Sequence, residues 1–118
     1  MIASLEGTVS YIGEDYFVVT VTGVGFKVFV PLELCKNTEL FSMVALHTFL
    51  VVREDSLSLY GFSEAEERDM FVSLLSVSGV GPRTGLNIIS TLSLEVIQKA
   101  IVFEQPELFD KVTGVGKK

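Results

Sequence analysis

Val77-Ser78-Gly79-Val80-Gly81-Pro82-Arg83 returns near the end of the chain as Val112-Thr113-Gly114-Val115-Gly116-Lys117-Lys118. Each copy places an apolar residue two positions ahead of a Gly-Val-Gly turn and a basic residue just beyond it. Glycine permits torsions, and close approaches by other groups, that a Cβ would block. The leading apolar residue can anchor the end of one helix, and Val80 can tuck back between two. Pro82 suits the first turn of the next helix, where its missing N–H costs nothing. A helix starting there aims its unbonded N–H groups and positive dipole end outward. Such a corner can be a tight turn between packed helices and nothing more. It can also seat a phosphate without reading a base. The repetition favours the second reading. It predicts two contacts with a nucleic-acid backbone, one through Gly79, Val80, Gly81 and Arg83, the other through Gly114, Val115, Gly116, Lys117 and Lys118.

A third Gly-Val-Gly, Gly23-Val24-Gly25, sits between strand patterns and reads as a β-hairpin turn. Context, not the tripeptide, carries the inference. The first half of the chain reads as β. Leu5 to Ile12, Tyr16 to Val21, Phe26 to Val30, Val44 to Val52 and Ser58 to Phe62 are rich in Val, Phe, Tyr, Thr and Leu, with turn formers between them. Several are apolar runs without clean alternation, which predicts strands covered on both sides. Five short strands suit a small closed barrel of the OB type.

The second half reads as α. Ser63 and Glu66 fit a capping box, and Met70, Phe71, Leu74 and Leu75 give one apolar face. Gly79-Val80-Gly81 should stop that helix. Pro82 opens the next, which Leu86, Ile88 and Ile89 carry to about Thr91. Ser93 can cap a third helix through Val102, and Pro106 a short fourth ending near Val112. The expected fold class is therefore mixed β then α. A barrel domain over 1–62 precedes an all-α domain over 63–118, with the boundary at Phe62-Ser63 and no long linker.

Composition narrows the classes. A chain of 118 residues with 48% hydrophobic residues and a mean hydropathy of +0.50 has more apolar surface than a soluble monomer needs. The surplus predicts an interface, most simply with another copy. No apolar stretch is long enough to span a bilayer. The start of the chain lacks a basic n-region, so it does not read as a signal peptide. The single Cys35 fits a reducing cytosol and reads as a small buried hydrophobe. A net charge of −6 argues against a simple DNA binder. Its distribution weakens that objection, because the acids crowd Glu64 to Asp69 and Glu54-Asp55, away from the two glycine corners. Glu54 and Asp55, at the tip of a strand connection, are by themselves as consistent with a solvated turn as with a site. His47 lies in an apolar strand and reads as packing.

The glycine corner and its flanks resemble the helix-hairpin-helix motif, a sequence-independent binder of DNA backbones. Val51-Val52-Arg53-Glu54-Asp55, Leu59-Tyr60-Gly61-Phe62, Glu67-Arg68, Gly79-Val80-Gly81-Pro82 and Gly114-Val115-Gly116-Lys117-Lys118, in this order and spacing, resemble RuvA, the bacterial family that recognises Holliday junctions. Met1-Ile2 and Val21-Thr22-Gly23-Val24-Gly25-Phe26 match as well, so the resemblance covers essentially the whole chain. It implies an OB-fold domain followed by a domain with two helix-hairpin-helix motifs. It implies a homotetramer, or an octamer of two, holding four-way junction DNA open on a concave basic face. It implies a non-catalytic subunit without cofactor or metal, acting in recombination, DNA repair and the SOS response. Its partners would be the RuvB motor, which supplies the ATPase, and the RuvC resolvase. The implied location is the bacterial cytoplasm, at the nucleoid and not a membrane. On the same warrant, Glu54 and Asp55 would form an acidic pin that repels phosphates at the crossover.

Departures from the family pattern carry expectations too. Gly85 stands where Ala is usual, which should lower helix stability by roughly 0.5–1 kcal/mol. Thr84 replaces an aliphatic residue and Ser78 a frequent Asn. Together these predict a looser first hairpin. The chain ends at Lys118, before the second arm of the second hairpin and the family's motor-binding third domain, so it reads as a fragment. Two other readings stay open. A base-excision glycosylase on the same motif would need an acid or Lys beside the hairpin, and Glu95 begins a surface-like helix without a partner. A protein-interaction module would use barrel and helices for assembly alone, with no junction specificity.

Overall fold

The computed structural model describes residues 2–92 and 96–97. The chain divides into two compact units, residues 1–68 and 69–118. The first is built on five strands: β1 Ser4–Ile12, β2 Tyr16–Val21, β3 Val24–Phe29, β4 Met43–Val52 and β5 Leu57–Phe62. A short helix α1, Leu32–Asn37, lies between β3 and β4. The strands close into a barrel in the order β1-β2-β3-β5-β4. All neighbours run antiparallel except β3 and β5, which pair in parallel at Val28–Leu59 and Phe29–Tyr60. This is the OB-type barrel expected.

Inside-out alternation organises the barrel. Leu5 and Val9 of β1, Phe17 and Val19 of β2, Val28 of β3, Leu46 of β4 and Leu59 of β5 are buried in one cluster. The residues between them lie on the outer face and are half-buried or exposed. The expectation of strands covered on both faces therefore fails for most of their length. Only the second half of β5, Leu59 to Phe62, is buried throughout. In a closed barrel the interior is filled by every second side chain, so outward-facing valines and aromatics need no second layer. Thr48 is the buried polar residue of this unit; its Oγ1 donates to the Ile2 carbonyl at 2.8 Å. His47, beside it, is half-buried. Cys35 is also half-buried, and desolvation, then the charge of Asp15, pushes its thiol up. Both causes favour the protonated thiol.

The sequence placed the strands well and overlooked α1. Leu32-Glu33-Leu34-Cys35-Lys36-Asn37 follows a proline and spans too few residues for a helical period to declare itself. The Gly-Val-Gly between β2 and β3 also needs correction. The turn is two residues, Thr22 and Gly23, with φ of 46° and 87°, and Val24 and Gly25 already belong to β3. Both turn residues are left-handed, as a type I′ turn demands.

Helix α2 spans Ala65–Leu75 and α3 spans Pro82–Thr91. The predicted capping box shifts by one residue. Glu64, not Ser63, is the residue whose carbonyl accepts the first helical bond, from the Arg68 N–H. Glu67 replies in place of Glu66, accepting from the Glu64 N–H and from the Ser63 hydroxyl at 3.2 Å each. The predicted third helix retains Val96 and Ile97 in helical form, and Ile97 is buried. Its remainder and the fourth helix lie outside the described residues.

Thr22 is β-branched in a left-handed position, which costs about 1–3 kcal/mol. Thr22→Asn should relieve part of this, raising the urea midpoint by the equivalent of about 0.5–1 kcal/mol with an unchanged m-value. An unchanged or lower midpoint would show that the turn is not strained.

Candidate nucleic-acid interface

The first glycine phrase forms a corner between α2 and α3. α2 stops at Leu75, four residues before the glycines that were expected to stop it. Turns take over: the Ser76 N–H bonds Ser73 O, Val77 N–H bonds Leu74 O, and Val80 N–H bonds Val77 O. The Ser76 hydroxyl also donates to Ser73 O at 2.6 Å, competing with helix continuation. Gly79 follows at φ +86°, a torsion that a side chain opposes. Val80 then turns inward and is buried, as its place between two glycines predicted.

Gly81 is the N-cap of α3, with φ −92° and ψ 178°. Pro82 is the first helical residue, and Gly85 N–H makes the first helical bond, to Gly81 O at 2.8 Å. The amides of Gly81, Arg83 and Thr84 therefore precede the first i→i−4 bond of α3. No acid lies in the first turn of α3 to compensate its dipole. Gly79 and Arg83 are exposed and Gly81 half-buried. A Cβ built on Gly81 would meet nothing within 4 Å. Neither torsion nor internal packing thus requires glycine there.

Gly85 gives a different result. Its missing Cβ would lie 3.3 Å from Cε1 of Phe71 and 3.9 Å from Cβ of Leu74. Phe71 and Leu74 are fully buried, and Leu86, Ile88 and Ile89 of α3 are buried with Gly85. The glycine lets α3 approach α2 closely, so the hairpin is tightly packed and not loosened there. Thr84 is half-buried and Ser78 exposed. Sequence reasoning listed Phe71 as one apolar residue among four; its role as the surface against which Gly85 seats was not visible. An aromatic on one helix facing a helical glycine fourteen residues later is the signal that could have found it.

Glu54 and Asp55 occupy the tip of the β4–β5 hairpin, in the barrel unit. The Arg53 N–H closes that turn onto Ser56 O at 2.9 Å. Both acids are exposed, as are Val52 and Leu57 at the hairpin base. Gly114, Val115, Gly116, Lys117 and Lys118 lie outside the described residues.

A five-stranded barrel of this topology followed by such a hairpin defines a class: OB-fold proteins that carry helix-hairpin-helix elements. Residues 1–61 match the family described as "RuvA N terminal domain", and residues 71–118 match "SAM-like Helix-hairpin-helix tandem". The chain belongs to the RuvA family. Among its relatives, proteins of Chloroflexus aurantiacus, Herpetosiphon aurantiacus and Acinetobacter baumannii are 41%, 43% and 42% identical over the whole of this chain. Each is named "Holliday junction branch migration complex subunit RuvA". The chain spans 61%, 60% and 59% of their respective lengths.

Gly79→Ala should destabilise the protein by about 1–2 kcal/mol through its left-handed torsion. Gly85→Ala should gain less than the roughly 0.5–1 kcal/mol of helix propensity, because Phe71 must yield. Gly85→Val should lose about 1–3 kcal/mol by overpacking. Urea melts of the three variants check the set; a full propensity gain at Gly85→Ala would refute the tight contact.

Proposed function

We propose that this chain is the junction-binding part of a non-catalytic subunit that grips four-way DNA during branch migration. The observation that carries this reading is the Gly79–Arg83 corner. An inward Val80 braces it, open space lies over Gly81, the first turn of α3 carries no acid, and Arg83 stands exposed at its rim. These features suit a phosphate held by main-chain amides and one guanidinium. The relatives' printed name supports the same substrate.

The finer parts of the proposal are these. A barrel domain over 1–62 precedes a helix-hairpin-helix domain over 63–118. Gly114, Val115, Gly116, Lys117 and Lys118 form a second backbone clamp. Glu54 and Asp55 act as a pin whose charge repels phosphate at the crossover. The subunit assembles as a tetramer or an octamer, and its exposed Phe41, Met43, Val52 and Leu57 supply apolar surface for assembly. The whole protein works with the RuvB motor and the RuvC resolvase at the bacterial nucleoid. No cofactor is needed.

Arg83→Glu should weaken binding to a four-way junction and lower the salt dependence by about one phosphate contact. Gly81→Ala should leave the urea midpoint unchanged while lowering junction affinity roughly ten-fold, since the new methyl would stand between the amide and the phosphate. Neutralising the pin with Glu54→Gln and Asp55→Asn should keep or tighten junction binding and relax its preference over duplex. Titrating labelled junction and duplex of equal length at several salt concentrations reads all three. Junction affinity unmoved by both Arg83→Glu and Gly81→Ala would remove the corner from the interface.

A further inference from the structure

The outer face of β1, β2 and β3 carries a second arrangement that the hairpin does not use. Strand register sets Tyr11 opposite Val18, and Val18 opposite Lys27. The neighbouring row pairs Tyr16 with Phe29. The Tyr11 and Tyr16 rings lie 5.9 Å apart, and Tyr16 meets Phe29 edge-on at 6.2 Å. The Lys27 ammonium rests 4.5 Å from the Tyr16 centroid and 5.3 Å from that of Phe29. This cation–π seat holds the charge on the sheet instead of leaving it to range through solvent. Tyr11 is 54% exposed.

Towards the Thr22-Gly23 turn the face becomes polar. Thr20 donates to the Ser10 hydroxyl at 2.9 Å, and Thr20 pairs with the exposed Gly25. Glu14 and Asp15 lie at the opposite end, in the turn between β1 and β2. The sheet thus grades from acids, through aromatic rings, to one fixed cation, then to hydroxyls and bare backbone. The Tyr16 ring lies between the two, 5.9 Å from the Tyr11 ring and 4.5 Å from the Lys27 ammonium.

We infer that this face is a stacking platform for single-stranded nucleic acid: an unpaired base lies on Tyr11 and the adjoining phosphate on Lys27. The platform is independent of base identity, because every base has a π-face, and the corresponding strands are a nucleic-acid surface in other OB barrels. It goes beyond the junction reading and uses barrel residues alone, so the two can fail separately.

The test is fluorescence anisotropy of a fluorescein-labelled oligothymidine of about twelve nucleotides, which cannot pair with itself. The full 118-residue chain should bind it saturably and more tightly than duplex of equal length. Tyr11→Ala and Lys27→Ala should each weaken binding at least about five-fold, and Tyr11→Phe should restore it. Far-UV circular dichroism confirms that the variants remain folded. No saturable binding, binding indifferent to Tyr11→Ala and Lys27→Ala, or binding lost with Arg83→Glu alone would each overturn the platform, the last by placing the strand at the hairpin.

Discussion

α2 and α3 approach so closely at Gly85 that a methyl group there would press on the Phe71 ring, 3.3 Å away, and meet Leu74 in ordinary contact. With the helices held together there, Val80 can reach inward and be buried. Burying an aliphatic side chain of this size contributes about 1.5–3 kcal/mol, which fixes the turn against the helices. Gly79 absorbs the resulting reversal of direction with its left-handed torsion. What remains outside is main chain: the amide of Gly81 and the first turn of α3. Within Gly79-Val80-Gly81 the one side chain is used for anchorage, so the exposed part of the turn is backbone.

Much of this was legible in the amino-acid sequence. The five strands were found to within about two residues at each end, because Val, Phe, Tyr, Thr and Leu crowd them and turn formers punctuate them. Pro82 and the apolar set Leu86, Ile88 and Ile89 placed α3 from its first residue to its last. The failures have physical causes. α1 is shorter than two helical turns, so periodicity could not reveal it. The cap of α2 slid from Ser63 to Glu64 because two overlapping carboxylates, Glu66 and Glu67, both satisfy the local pattern and only three-dimensional reach chooses between them. Gly85 was misjudged because propensity counts what a glycine costs its own helix, and not what its absence of bulk gives to a neighbour.

The candidate residues divide along the same line. The turn formed by Gly79, Val80, Gly81 and Arg83 was readable as a corner because its members are contiguous, and a turn is a local object. The sheet face of Tyr11, Tyr16 and Lys27 was not, because its members come from three strands and meet only through register. A net charge of −6 is likewise a poor guide to where cations stand. Acids gather in the first turn of α2 and at the β4–β5 tip, and none lies in the first turn of α3.

The barrel is a three-stranded meander and a separate hairpin, joined along two seams of unequal length. β1 and β4 share five paired positions, Ser4 to Thr8, whereas β3 and β5 share two. Each ribbon is built from contacts close in sequence and can form early and by itself. Both seams join residues far apart in the chain and carry a loop-closure penalty that local pairing does not. The parallel seam at Val28 and Phe29 repays that penalty over only two paired positions.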